Sequence, residues 1–292
     1  MLQVVMAGTF AASLEAAVRR RLRTACRLTI VDEDCIAPLL GDADVLVTMA
    51  LTAEMGRNAP RLKLVQVPGA GLDRIDRSGL PAGVSLANVY GHETGIAEYA
   101  IGAMLALSRE FLRLDAALRR DDWQSQWAVG APIPPVWPEL AGRTLGILGY
   151  GRIGQNIARR ARAFNMHICA IRRDVGQSME DDLALLGGPD ILNDVLRRSD
   201  YLVVAMPAAP ETIGWIGKPQ LNLMKPTAFL VNVARAQIVD EAALYEALAQ
   251  RSIAGAALDV WYRYPREPGP TAPASLPFHE LPNVLMTPHV SG

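Results

Sequence analysis

The chain reads as an α/β protein of two domains, each built on a parallel sheet with helices on both faces. Short apolar runs alternate with helix-period segments along most of its length, the pattern of buried parallel strands joined by crossover helices. A strand–glycine–helix unit spans residues 144–164 near the middle of the chain. The length, 292 residues, is more than one hydrophobic core usually serves, so two domains are expected.

In the first ninety or so residues, strands are expected at Leu2–Met6, Leu28–Val31, Val45–Thr48, Leu62–Val67 and Val84–Ala87, with a helix over Ala11–Leu22. The stretch PGAGLDRID (Pro68–Asp76) falls just beyond a strand's carboxyl end, where open α/β sheets place ligands. Ala70 and Gly71 there can offer backbone N–H groups to a carboxylate. Residues 91–120 carry a long helical pattern starting near Gly95. A Pro-, Trp- and Gly-rich crossing follows, and its Trp123, Trp127 and Trp137 read as packing at a domain or subunit contact. Further strands are expected at His167–Ile171, Tyr201–Ala205, Phe229–Val233 and Ile253–Leu258. Helices are expected at Ile191–Arg198 and Asp240–Gln250, the latter with the acidic first turn that the helix dipole favours.

Composition excludes several classes of function. Half of the residues are hydrophobic and a fifth are charged, a globular balance and not a disordered one. A net charge of -1 gives no basic field for nucleic acid or a membrane surface. No apolar run approaches the ~18 residues that span a bilayer. Three cysteines, Cys26, Cys35 and Cys169, lack metal-ligand spacing and suit a reducing compartment. No metal is expected, and without a signal-peptide start the expected location is cytoplasmic.

The central unit is TLGILGYGRIGQNIARRARAF, Thr144–Phe164. Its apolar run reads as a buried strand, and Gly149, Gly151 and Gly154 follow in GxGxxG spacing. The first glycine makes the turn, the second admits a pyrophosphate against bare backbone, and the third lets helix and strand pack closely. The helix start then offers N–H groups and a positive dipole end to phosphate.

Four stretches, PGAGLDRID, GYGRIG, VNVARAQIVDEAALYEAL and GAALDVW with MTPHVSG, together resemble the D-isomer-specific 2-hydroxyacid dehydrogenase family. The family includes glyoxylate/hydroxypyruvate reductases, phosphoglycerate dehydrogenase and formate dehydrogenase, and the resemblance covers nearly the whole chain. It implies two Rossmann-like domains with the active site between them: a flavodoxin-like substrate domain over 1–97 and a doubly wound dinucleotide-binding domain over 98–286. Residues 287–292 would be a return segment, shorter than the family's. The resemblance makes Arg235 and His289 the catalytic pair. A guanidinium can hold a carboxylate through two hydrogen bonds and polarise a carbonyl. An imidazole can pass a proton to the forming alkoxide and take it back in reverse. The implied cofactor contacts are Tyr150, Gly151, Arg152, Ile153, Arg172, Arg173, Pro207, Ala234 and Asp259. The implied substrate contacts are Ala70, Gly71 and His92, the last where relatives often carry asparagine. A homodimer is implied too.

The sequence departs from the family in three places. The glutamate five residues after the LDV aspartate, which raises the pKa of the family histidine, is Tyr264 here. Glu267 can take its place only if the loop bulges. Without a carboxylate partner, His289 is expected to titrate lower than in relatives. The acidic residue that selects NAD about twenty residues after the glycines is replaced by Arg172, with Arg173 beside it. Arginine pairs with a 2′-phosphate, so NADP(H) is expected over NAD(H), unless Arg172 only stacks on adenine. The chain stops three residues past His289, where the family continues with a helix. Either the form is truncated or that surface is covered otherwise.

The expected activity is hydride transfer between NADP(H), or NAD(H), and a small 2-keto or 2-hydroxy acid such as glyoxylate or hydroxypyruvate. The alternatives are a nucleotide-sensing protein with little turnover and a formate dehydrogenase-like activity. The DVW and Pro-rich pattern motivates the last.

Overall fold

The structure is a computed structural model that describes residues 1–130, 136–175, 183–265 and 267–292. The chain divides into two compact units, Met1–Gly91 and His92–Gly292.

The first unit has five parallel strands: β1 (Leu2–Ala7), β2 (Cys26–Val31), β3 (Val45–Val47), β4 (Leu64–Gln66) and β5 (Ser85–Ala87). Their order across the sheet is β2-β1-β3-β4-β5, the flavodoxin-like arrangement. The helices are α1 (Thr9–Ser13), α2 (Glu15–Arg21), α3 (Ala37–Leu40) and α4 (Ala53–Arg57). The single helix expected over Ala11–Leu22 is thus two short ones, parted at Leu14, whose N–H donates to Ala11 in a tight three-residue step. Val5, Leu46, Val65 and Val67 form the sheet side of the core, and Ile36, Leu40 and Leu62 close over it. The segment Pro68–Gly71 leaves the carboxyl end of β4.

The second unit begins with α5 (Glu93–Ser108) and α6 (Phe111–Leu118). The long helical pattern breaks between them because Glu110 takes a left-handed conformation, φ 48°. Seven parallel strands follow: β6 (Thr144–Leu148), β7 (His167–Ile171), β8 (Leu185–Gly187), β9 (Tyr201–Val204), β10 (Phe229–Asn232), β11 (Gly255–Leu258) and β12 (Val284–Met286). Their order is β12-β11-β10-β9-β6-β7-β8, a doubly wound sheet whose direction of progression reverses between β6 and β9. The remaining helices are α7 (Arg152–Ala163), α8 (Leu192–Arg198), α9 (Lys218–Leu221) and α10 (Glu241–Ala249). Asp240 caps α10 by accepting from the Ala243 N–H at 2.8 Å.

Strand alternation sends successive side chains to opposite faces. Leu202, Val204, Leu230 and Leu258 pack with α8, α10 and Phe278 on one face. Ile147, Val203, Val231 and Ala257 pack with α5 and α7 on the other. The division of the chain falls ahead of α5, so residues 92–97 go with the second unit, and so do residues 287–292, which lie against the start of α5. β8 and β12 were not foreseen from the sequence. Among the described residues, no helix is long and apolar enough to cross a membrane.

Candidate active site

The glycine turn follows β6 at the point where the sheet order reverses, the usual ligand position in open α/β sheets. Its three glycines differ physically. Gly149 has φ +104°, and a Cβ there would lie 2.7 Å from the Ala205 carbonyl oxygen. A Cβ on Gly154 would lie 2.3 Å from the Gly149 carbonyl oxygen, so α7 and the turn touch through bare backbone. Around Gly151 there is open space: a Cβ would meet nothing within 4 Å. The first bond of the α7 ladder runs from Gln155 N–H to the Gly151 carbonyl, so the amides of residues 152–154 precede it at the positive end of the helix. The cradle fits a diphosphate: a tight turn, a tight helix contact, and room at the middle glycine.

Tyr150 is buried, and its N–H, like that of Gly149, donates to the Ile171 carbonyl. The turn is thereby tied to the end of β7, where Arg172 and Arg173 emerge. Arg172 is half-buried. Arg173 is exposed and forms an ion pair with Glu211 at 3.3 Å. Pro207 lies just beyond β9, and its carbonyl accepts from the Thr212 hydroxyl.

Beyond β10, the buried Asn232 shapes the next turn. Its Oδ1 accepts from Ala234 N–H at 3.0 Å and its Nδ2 donates to the Arg235 carbonyl at 3.0 Å. Arg235 Nη1 donates to the Ala234 carbonyl at 2.7 Å, so the guanidinium is folded beside its own strand end. Asn232 was not singled out from the sequence, although an amide in the last position of a strand, two residues before an alanine–arginine pair, is a turn signal.

Asp259 follows β11 and is fully buried. Its carboxylate accepts from the Thr287 hydroxyl at 2.6 Å and from the N–H groups of Val290 and Ser291, both at 2.9 Å. Burial pushes its pKa up, but these bonds outweigh that and hold it below the ordinary carboxylate value. The resemblance implied a cofactor contact for Asp259; here its carboxylate clamps the segment that carries His289. Thr287 is fixed further by Tyr99, whose hydroxyl lies 2.6 Å from Oγ1, and by Trp261, whose Nε1 donates to the Thr287 carbonyl at 2.8 Å. None of these clamps was legible in the sequence.

His289 has φ 58°, the left-handed region. Its Nδ1 lies 2.7 Å from the Tyr264 hydroxyl. Tyr264 therefore stands where the glutamate was expected, while Glu267 lies further along the same loop, exposed. The His289 pKa is lowered. Burial is the main cause, the Arg235 charge adds to it, and Asp259 opposes both. The structure thus brings Arg235, Asp259, Tyr264 and His289 into one electrostatic neighbourhood at the carboxyl ends of β10, β11 and β12. His92 caps α5 in the same unit, with its ring beside Gly292. Ala70 and Gly71 belong to the first unit, where the Ala70 carbonyl accepts from Asn88.

A groove of about 880 Å³ lies at the opposite, amino-terminal ends of the strands, lined by Leu107, Leu112, Tyr201, Phe229 and Leu285 among others. It holds none of these groups. The arrangement at the carboxyl ends can bind an anion through a guanidinium and exchange a proton through an imidazole.

Comparison with known proteins agrees with this geometry. Residues 101–291 match the family model described as D-isomer specific 2-hydroxyacid dehydrogenase, NAD binding domain. A glyoxylate reductase of Pyrococcus furiosus is 38% identical over 254 residues, 85% of this chain and 73% of that protein. A D-3-phosphoglycerate dehydrogenase of Methanocaldococcus jannaschii is 36% identical over 257 residues, 85% of this chain and 45% of that protein. Among solved structures, a Pyrococcus horikoshii protein superposes with a TM-score of 0.81 at 26% identity, covering 100% of this chain and 86% of its own. The chain belongs to the D-isomer-specific 2-hydroxyacid dehydrogenases, oxidoreductases with a Rossmann domain for a nicotinamide dinucleotide and small 2-hydroxy or 2-keto acids as substrates.

Proposed function

We propose that the protein reduces small 2-keto acids, glyoxylate and hydroxypyruvate first, or oxidises the matching 2-hydroxy acids, and prefers NADP(H) to NAD(H). The observation that carries the reaction is that the Arg235 charge acts on His289 at the carboxyl ends of the strands of the sheet that also bears the glycine turn. The relatives named as glyoxylate reductases support glyoxylate as the first substrate.

A nicotinamide dinucleotide, when bound at the glycine turn, would supply a hydride to the carbonyl carbon. Arg235 holds the substrate carboxylate and polarises the carbonyl. His289, in its charged form, gives a proton to the oxygen as negative charge develops there. Backbone N–H groups at Ala70 and Gly71 add to carboxylate binding, and His92 contacts substrate. Tyr150, Gly151, Arg152, Ile153, Pro207, Ala234 and Asp259 line the cofactor, with the unit from His92 onward as its domain and Met1–Gly91 as the substrate domain.

The cofactor preference rests on Arg172 and Arg173, which leave the end of β7 where family members place an acid. The Arg173–Glu211 pair is between exposed groups and is weak, so a 2′-phosphate competes for Arg173. A homodimer is part of this reading, supported by exposed Phe111, Leu112, Leu118, Trp123 and Trp127. A cytoplasmic location is supported by the three free cysteines.

Absorbance at 340 nm tests the proposal, with NADPH or NADH and a panel of 2-keto acids. Turnover of glyoxylate or hydroxypyruvate is expected, with kcat/KM for NADPH ~10-fold or more above that for NADH, as one charge-assisted pair supplies. Equal values for the two cofactors defeat the preference. Tight NADPH binding without turnover of any acid defeats the enzyme in favour of a nucleotide sensor.

A further inference from the structure

We infer that Tyr264 is a positioning residue for His289, a neutral phenol that holds the imidazole in both of its protonation states without favouring the charged one. The inference rests on the reading of His289 as the proton donor, but the pairing itself is a matter of geometry.

The hydroxyl of Tyr264 lies 2.7 Å from His289 Nδ1, and its oxygen also accepts from the Trp261 N–H at 3.3 Å. With one lone pair taken by that amide, the phenol still has both its O–H and its second lone pair to offer the ring. In the neutral imidazole protonated on Nε2, Nδ1 accepts from that O–H; in the tautomer protonated on Nδ1, the ring N–H donates to the second lone pair. In the imidazolium, Nδ1–H donates to the second lone pair of the phenol, and the half-exposed hydroxyl proton turns toward solvent. The ring keeps one orientation through the cycle. In reduction, Nε2–H of the imidazolium protonates the forming alkoxide and leaves a neutral ring with its proton on Nδ1, still bonded to Tyr264. Solvent then restores the charge.

A carboxylate at this position would bind only the Nδ1–H form and would stabilise the cation. Tyr264 supplies the same tether without the charge. The charged groups acting on the ring are then Arg235, from the loop after β10, and Asp259, from the end of β11, with burial the larger influence. The backbone around the ring is already fixed. Val290 and Ser291 N–H groups bind Asp259 on one side of it and Trp261 binds the Thr287 carbonyl on the other, which sustains the left-handed φ of His289. These bonds fix the backbone, and the Tyr264 bond is the contact that orients the ring.

The test uses the full chain with uniform 15N labelling. The tautomer and titration of His289 are read by long-range 1H–15N spectra in wild type, Tyr264→Phe and Tyr264→Glu, and the pH dependence of glyoxylate reduction is measured alongside. Wild type is expected to keep Nδ1 hydrogen-bonded to the phenol on both sides of its titration midpoint, read from the Nδ1 shift. Tyr264→Phe should lose that hydrogen bond, read as a changed Nδ1 shift, leave the midpoint in place and lower kcat ~10-fold with KM for NADPH within twofold. Tyr264→Glu should hold the neutral ring as Nδ1–H, restore kcat, and move both the midpoint and the pH limb of reduction up by ~1 unit or more. An unchanged Nδ1 shift in Tyr264→Phe, or an unmoved limb in Tyr264→Glu, overturns the inference. If no acid is reduced by any form, the functional reading fails while the spectra still decide the pairing.

Discussion

A guanidinium meets a 2-keto acid through two parallel N–H donors, a geometry that an ammonium cannot copy. Arg235→Lys is therefore expected to lower kcat/KM for glyoxylate by ~10²-fold or more while NADPH affinity, read by fluorescence titration, stays within twofold. At His289 the sign of the pH dependence follows from the proton's direction. Reduction needs the imidazolium, which exists below the folded pKa and is lost as pH rises through it. Because that pKa lies below the ordinary 6.5, reduction should fall off with a midpoint below pH 6.5. Oxidation needs the neutral ring and should persist down to the same midpoint. Paired pH–rate profiles in the two directions check this, and a reduction limb above neutral pH contradicts it. Arg172→Ala should lower kcat/KM for NADPH by ~10-fold or more and leave NADH within twofold, since only the 2′-phosphate pairing is removed.

At the scale of the element, the strand–turn–helix unit makes a sharp comparison between two glycines. Gly151 has φ −92° and open space around it, so Gly151→Ala should fold as wild type yet weaken NADPH binding ~10-fold or more, the new methyl standing where phosphate approaches. Gly154→Ala puts a methyl against the Gly149 carbonyl, and should cost about 1–3 kcal/mol in urea unfolding. This unit was legible in the sequence because its signals are local: an apolar run, a fixed glycine spacing and a helical period. The strands β7, β9, β10 and β11 were legible for the same reason; β8 and β12, each three half-buried residues, are too short to show a pattern. The breaks at Leu14 and Glu110 were not legible, since the apolar period runs on across both. At the site, Arg235 and His289 could be picked out by position at strand ends. Their supports could not, because the bonds of Asp259 to Thr287, Val290 and Ser291 and of Tyr264 to His289 join residues some 25 to 32 apart, and nothing local encodes a loop's path.

For the whole molecule, the Asp259 clamp links the chain's closing segment to stability as well as to function. Asp259→Ala leaves three donors without their acceptor and should cost about 2–4 kcal/mol in urea unfolding at neutral pH. Its folded pKa is depressed, so the stabilisation is present above the ordinary carboxylate value of 3.8 and is lost as pH falls through the folded value. Unfolding midpoints of wild type and variant should therefore converge in acid. The net charge of -1 gives the molecule no strong field to steer an anionic substrate, so capture depends on local cations such as Arg235. Single-turnover mixing of the NADPH complex with glyoxylate, followed at 340 nm in wild type and His289→Ala, tests the central claim most directly. The account predicts unchanged NADPH binding and hydride transfer slowed ~10²–10⁴-fold in the variant; transfer at the wild-type rate would contradict it.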